Sequence, residues 1–255
     1  MKIYVCVKHV PDSAATITVT GENTIDERVT FIINPYDEHA LTEARRIRDD
    51  FEGSEVIAVC LGKESARECL RSAMAMGADR SILIKSEMRH DAIETAGAIK
   101  AAIDEDGGAD LIFTGREAID SNGMQTMFRL GALYGCPVMT NVVETDISQN
   151  RARVVSEGDK GARLAYELEL PCVLAAGKGL NKPRYPTMPD IIKSKKKEIK
   201  TAYIENLNIA PSQASMKLVK LIPYTENRHP ENIIGDTEGT VEKIIDVLKN
   251  RAKVI

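Results

Sequence analysis

Three short runs rich in β-branched residues, K-I-Y-V-C-V-K at 2–8, E-V-I-A-V-C-L at 55–61 and D-L-I-F-T at 110–114, are each followed by a turn signal and then by a helical pattern. Their apolar residues run on rather than alternate. A strand of that kind must be covered on both faces, which calls for a parallel sheet whose crossover helices supply the cover. The helical patterns agree. Residues 36–50 place apolar side chains at 40, 41, 44 and 47, one face of a 3.6-residue period. A second helix is predicted over 64–76, stopped by Gly77, and a third over 91–104, before Gly107-Gly108. I-L-I at 82–84 reads as a strand and 123–134 as a fourth helix. The fold class is therefore α/β, a parallel sheet with crossover helices.

From about 141 to 170 the period changes to two, in N-V-V-E-T-D-I, R-A-R-V-V and L-A-Y-E-L-E-L. These are antiparallel strands, an edge hairpin added to the parallel sheet. P-C-V-L-A-A at 171–176 is a buried strand that delivers the chain into Leu180–Lys197, L-N-K-P-R-Y-P-T-M-P-D-I-I-K-S-K-K-K. Prolines 183, 186 and 189 turn the residues before them away from helix and stiffen this loop. Tyr185 and Met188 are its apolar tips, followed by a short apolar turn and the basic run. The build is that of a docking surface rather than a catalytic pocket. The lysines read equally as a solvated helix end or as electrostatic assistance to docking. Residues 198–235 have little periodicity and form an extended arm, and a final helix spans 238–251. The domain boundary accordingly falls between 1–197 and 198–255.

Composition narrows the function. A net charge of −4 argues against bulk affinity for nucleic acid or membrane, and 4% aromatics with no Trp leave no base-stacking platform. Cys6, Cys60, Cys69, Cys136 and Cys172 are scattered, without C-x-x-C spacing, so a metal site is not expected. Cys6, Cys60 and Cys172 lie in strand-like runs and should be buried thiols in a reducing compartment. The first strand is too short and too polar in its flanks for a signal peptide, and no run reaches the ~18 apolar residues of a membrane span. The expected location is cytoplasmic or matrix-type.

In an open parallel sheet, ligands bind beyond the carboxyl ends of the strands. Three segments should meet there: Val7–Asp12, Asn34-Pro35-Tyr36-Asp37, and Thr114-Gly115-Arg116-Glu117-Ala118-Ile119-Asp120 with Ser121-Asn122-Gly123-Met124-Gln125-Thr126. The last combines permissive backbone, hydroxyls and amides just before a helix, where N–H groups would suit a phosphate. An ordinary polar loop reads the same way. Neither G-x-G-x-x-G nor G-K-[ST] occurs. His9 and His39 have no accompanying nucleophile motif, and Asp12, Asp37 and Asp120 are as suited to helix capping as to catalysis. No active site emerges.

Over nearly its whole length the chain resembles the β subunit of electron transfer flavoprotein. The resemblance rests on V-K-H-V-P-D (7–12), N-P-Y-D-E-H-A-L-T-E-A (34–44), M-A-M-G-A-D-R (74–80), G-R-E-A-I-D (115–120) and the Leu180–Lys197 loop. Each is unspecific alone; their order and spacing are specific. It implies an adenine-nucleotide-binding, Rossmann-like fold and a heterodimer with an α subunit that carries the redox-active FAD. It also implies an AMP in this subunit, or a second FAD in the branch that bifurcates electrons from NADH. Nucleotide contacts carry over to Cys6, Asn34, Leu61 and the segment Gly115–Thr126, with Pro35, Tyr36 and Asp37 beside them. Ser13 and Tyr36 match positions facing the partner's flavin. Tyr185, Met188, Lys193, Lys195 and Lys196 match the loop that docks an acyl-CoA-type dehydrogenase, Met188 standing where an anchoring leucine is usual. The arm after 198 would contact the α subunit.

Two departures stand out. AMP-type members continue Gln-Thr with Gly and bifurcating members read Gln-Val-Gly-Pro, whereas this chain has Gln125-Thr126-Met127-Phe128. Thr126 leans toward AMP, while V-P-D and N-P-Y-D lean toward the second FAD. In the hairpin, S-E-G-D-K-G-A-R replaces the family's Arg-Glu pair, and Glu157 fills the flavin-domain-holding position only with a one-residue shift. The resulting expectation is an electron-shuttling subunit without bond-breaking chemistry of its own. A stand-alone nucleotide-binding signalling module is the alternative from another class.

Overall fold

The computed structural model describes residues 1–148, 150–209, 216–223 and 230–255. Eleven strands and six α-helices follow one another as β1 (Lys2–Cys6), β2 (His9–Pro11), β3 (Phe31–Ile33), α1 (Pro35–Asp50), β4 (Glu55–Gly62), α2 (Ala66–Met76), β5 (Arg80–Lys85), α3 (Ala92–Glu105), β6 (Leu111–Gly115), α4 (Thr126–Tyr134), β7 (Val138–Ile147), β8 (Arg151–Glu157), β9 (Arg163–Glu169), β10 (Cys172–Ala176), α5 (Met188–Ser194), β11 (Ile199–Tyr203) and α6 (Thr237–Asp246). The central sheet has nine strands in the order β11-β5-β4-β1-β6-β10-β7-β8-β9. It is parallel from β11 to β7 and antiparallel across β8 and β9. β2 and β3 form a separate antiparallel pair ahead of α1.

The chain steps outward from β1 to β4 and β5, then returns through α3 to β6 on the other side of β1. That reversal opens a crevice between the carboxyl ends of β1 and β6, the place where a doubly wound sheet takes its ligand. Strand alternation divides the core. Ile3, Val5, Leu111, Phe113 and Leu174 pack with residues of α1 and α2. Tyr4, Cys6, Ile112 and Val173 pack with residues of α3 and α4. Both faces are covered because the strand interiors are apolar almost throughout, as the run-on patterns required, with Ser81 and Thr114 as buried polar exceptions.

Four local expectations change. The fourth helix begins at Thr126 rather than 123, because Asn122 and Met124 both hold φ near 47°, a left-handed conformation that no helix continues through. The expected antiparallel edge hairpin is present as β8 and β9, but β7, read as another antiparallel strand, pairs parallel with β10 through its first half and antiparallel with β8 only through its second. The short apolar turn after Met188 is helix α5, whose second residue is Pro189, a first-turn position where the missing N–H would go unused. Residues 199–203, read as the start of the arm, form β11 beside β5 and extend the sheet past the expected boundary at 197. I-K-T-A-Y alternates, but the adjoining lysine run hides that signal.

Candidate functional site

Asp37, in the first turn of α1, sits in the crevice and is 4% exposed. Its carboxylate accepts from the Lys8 backbone N–H at 2.8 Å, from Asn34 Nδ2 at 2.9 Å and from the Gly115 N–H at 3.0 Å. One side chain thus ties the end of β1 to the end of β6. Burial pushes the Asp37 carboxyl up to about 7, against the pull of those three donors. Asn34 completes the clasp: its Nδ2 donates to Glu117 O at 2.9 Å and its Oδ1 accepts from the Ile119 N–H at 3.1 Å. Gly115 has to be glycine here. A Cβ would overlap Asp37 Oδ1 and come within 2.7 Å of Tyr36 Cβ. The requirement is closeness of approach.

Beyond Gly115, Arg116 lies over the Tyr36 ring at 5.3 Å and pairs with Glu117 at 2.5 Å, which holds the Glu117 carboxyl below its usual range. Lys8 Nζ reaches Asp120 at 2.6 Å. Ser121 to Met124 are exposed, and the first turn of α4 carries no side-chain cap. Its leading N–H groups and the positive end of its dipole are what an anion would use. Thr114 Oγ1, at the end of β6, is buried without a hydrogen-bond partner among the described residues. By alternation Thr114 shares the α3/α4 face with Cys6, and Leu61 packs against that same cluster. Three strand ends therefore present Cys6, Leu61 and Thr114 on the side where α4 begins. The free N–H groups of the α4 start and the orphaned hydroxyl are a donor set that suits an anionic group.

The arm returns over this edge. The Met216 N–H donates to Asp91 at 3.2 Å, at the start of α3, and Gln125 Nε2 donates to Met216 Sδ at 3.7 Å. The Leu221 N–H donates to Glu22 O at 2.7 Å, in the loop between β2 and β3. Lys8 and Thr114 lie in segments that the sequence already sent to this edge, whereas nothing in it marked Met216 or Asp91, whose contact joins distant segments.

The proline-rich loop is held elsewhere, on the flank of α1 and α2. Asn181 Nδ2 donates to His39 O and to Glu43 Oε2, both at 3.0 Å, and His39 Nδ1 lies 3.2 Å from Asn181 Oδ1. The Arg184 N–H donates to Thr42 Oγ1 at 3.0 Å, and Arg71 Nη1 donates to Ser194 O and Lys197 O at 2.6 Å each. Thr187 and Asp190 form a reciprocal capping box on α5, and Arg184 pairs with Asp190 at 2.8 Å. Those bonds to Thr187, with Arg184 alongside, hold the Asp190 carboxyl at about 2. From this fixed base Tyr185 projects 82% exposed and Met188 70% exposed, with Ile192 beside them. Lys193, Lys195 and Lys196 are exposed, whereas Lys197 turns inward to the carbonyls of Met74 and Ala78. His39 is thus a brace. His9 stacks on Phe31, with ring centroids 4.7 Å apart.

The site residues expected from sequence therefore fall into two groups. Cys6, Asn34–Asp37, Leu61 and Gly115–Thr126 gather at the crevice; Tyr185, Met188 and the lysines stand apart from it. Ser13 is exposed near the β2 end, and Glu157 lies opposite Arg163 in the β8–β9 pairing. Among the described residues no helix is long and apolar enough to cross a membrane.

The family model of the electron transfer flavoprotein domain matches residues 23–206. The β subunit of the mitochondrial electron transfer flavoprotein of Arabidopsis thaliana is 35% identical over 259 residues, covering all of both chains. The β subunit from Syntrophomonas wolfei is 30% identical, covering all of this chain and 98% of its own. A subunit of the caffeyl-CoA reductase–Etf complex of Acetobacterium woodii is 32% identical across 99% of this chain and 98% of its own. The chain belongs to the electron transfer flavoprotein family, alongside its β subunits.

Proposed function

From that membership, we propose that the chain is the nucleotide-holding and docking subunit of a heterodimeric electron carrier whose redox-active FAD sits mainly on an α subunit. Electrons would pass between acyl-CoA-type dehydrogenases and a downstream acceptor. The observation that carries the nucleotide reading is the crevice between β1 and β6, where the uncapped α4 N-terminus, the unpartnered Thr114 hydroxyl and the Cys6 and Leu61 strand ends converge. An AMP would place its phosphate against the backbone of Gly123–Thr126. Asn34 and Asp37 would hold the 115–119 segment in shape. Tyr36 and Ser13 would face the partner's flavin, which supplies the redox chemistry when bound. Met188 would anchor the dehydrogenase, with Tyr185, Lys193, Lys195 and Lys196 around it.

A second reading puts FAD in place of AMP and has this subunit take electrons from NADH. V-P-D at 10–12 and N-P-Y-D at 34–37 favour it. The stand-alone signalling module is disfavoured by α6, whose Val241, Ile244 and Ile245 are each more than 40% exposed on a helix with no buried residue. The test is co-expression with the α subunit and nucleotide release from the purified complex. One FAD with one AMP supports the carrier, and two FADs support bifurcation. A stable, colourless monomer would sink both.

A further inference from the structure

A second concave site lies away from the crevice, where α5 meets the carboxyl ends of α1 and α2. It encloses about 120 Å³ and is lined by Arg45, Arg48, Arg184, Lys193 and Lys197, with Asp190 the one acidic side chain on its wall. Three carboxylates pair with these cations. Asp49 pairs with Arg45 at 3.5 Å and with Arg48 at 2.7 Å; Asp79 pairs with Arg48 at 2.7 Å; Asp190 pairs with Arg184 at 2.8 Å. Five positive charges thus face three negative ones. Lys193 has no ion pair among the described residues. Lys197 Nζ meets only the carbonyls of Met74 and Ala78, at 3.1 and 2.6 Å, and burial together with Arg48 and Arg45 lowers its pKa.

The cations are positioned rather than scattered. The aliphatic stem of Arg45 lies flat on Gly77, where an added Cβ would sit 2.6 Å from Arg45 Cδ. Arg48 Nη1 is fixed by Gly77 O at 2.9 Å. Arg71 clamps the α5 end that presents Lys193 and Lys197. Rigid, mutually repelling cations with a net excess of two charges are stabilised by a dianion, and guanidinium forks match tetrahedral oxyanions.

We propose that this pocket is a binding site for a single phosphate group. It takes either the free ion or the end of a phosphate monoester, because the pocket opens to solvent beside α5. The site stands independently of the nucleotide and docking readings.

The test is calorimetric titration of the full chain, in complex with its α subunit, with inorganic phosphate, glycerol 3-phosphate and acetate in separate arms. Saturable phosphate binding is expected, together with a loss of about tenfold or more in affinity in Arg45→Gln/Lys193→Gln. Lys193 is exposed, and Lys193→Gln alone keeps the test free of any disturbance at Arg45, whose stem packs on Gly77. Equal binding of glycerol 3-phosphate assigns the site to a monoester, and binding of phosphate alone assigns it to the free ion. The proposal is overturned if phosphate does not saturate, if the variants bind as tightly as wild type, or if acetate competes on equal terms.

Discussion

Gly115→Ala tests the clasp at its tightest point. The new Cβ would overlap Asp37 Oδ1 and stand 2.7 Å from Tyr36 Cβ and 3.1 Å from Asn34 Nδ2. None of these atoms can retreat freely. Asp37 is held by three donors, one of them the Gly115 N–H itself, and Asn34 is held by Glu117 and Ile119. Relief therefore requires the 115–119 segment to move away from α1. Losing one hydrogen bond to a buried carboxylate costs about 1.5–3 kcal/mol, and the overpacking adds about 1–3 kcal/mol. The expected destabilisation is about 3–5 kcal/mol, a large part of the roughly 5–15 kcal/mol that holds a domain folded. At about 2–4 °C per kcal/mol, the melting temperature should fall by about 6–20 °C. The matched control is Gly123→Ala in the same loop, where nothing lies within 4 Å of the added methyl, and its stability should stay within about 0.5 kcal/mol of wild type. Urea denaturation and nucleotide content of both variants decide the matter. If Gly115→Ala matches Gly123→Ala in stability, the clasp is not what fixes this loop.

Asp37 should leave a pH signature. With its carboxyl at about 7 in the fold against 3.8 ordinarily, the folded chain keeps a proton that the unfolded chain releases, so the contribution of this one group is fullest below pH 4 and is lost as pH rises toward 7, by about 4 kcal/mol. The stability gap between wild type and Asp37→Asn should therefore change across that window; a constant gap would mean that the three donors keep the group ionised throughout. Asn181→Ala should cost about 1–3 kcal/mol by freeing the docking loop from His39 and Glu43, seen as faster proteolysis at Lys182 or Arg184; unchanged cleavage would place the loop's rigidity in its prolines. Met188→Ala should slow electron delivery from the dehydrogenase while flavin content holds, and a loss of flavin would show that this side chain serves the fold instead.

The helices were legible where their pattern is local. Ala40, Leu41, Ala44 and Ile47 are all buried, as the spacing of α1 demanded. The start of α4 was hidden because Asn122 and Met124 adopt left-handed backbone that composition does not announce. β11 was hidden by the lysines before it. At the crevice, the sequence brought Asp37 and Asn34 to the strand ends where they lie but could not tell a cap from a clasp. Both sit at a helix start, yet their side chains reach backward to Lys8 and across to Gly115, Glu117 and Ile119. Those pairings span tens of residues, and no sequence window contains them. His39 shows the converse, since a histidine near a strand end looks like chemistry until Asn181 is placed against it.

Both surfaces of the chain are built on one helix. The first turn of α1 holds the crevice through Asn34 and Asp37, and the following residues hold the proline-rich loop through His39, Thr42 and Glu43. A helix rises about 1.5 Å per residue, so the two attachment points lie within roughly 15 Å along one rigid rod. That arrangement fixes the distance from the crevice to Met188 without asking the loop or the crevice to be stiff alone. It also separates two kinds of failure. Damage at Gly115 should loosen the crevice and leave Met188 where it is, because Thr42 and Glu43 lie one or more turns further on. Damage at Ala40 or Leu41, fully buried between the two attachments, should disturb both together. An enlarging substitution at Ala40 that spoiled docking but left the crevice intact would show that α1 is two independent supports rather than one.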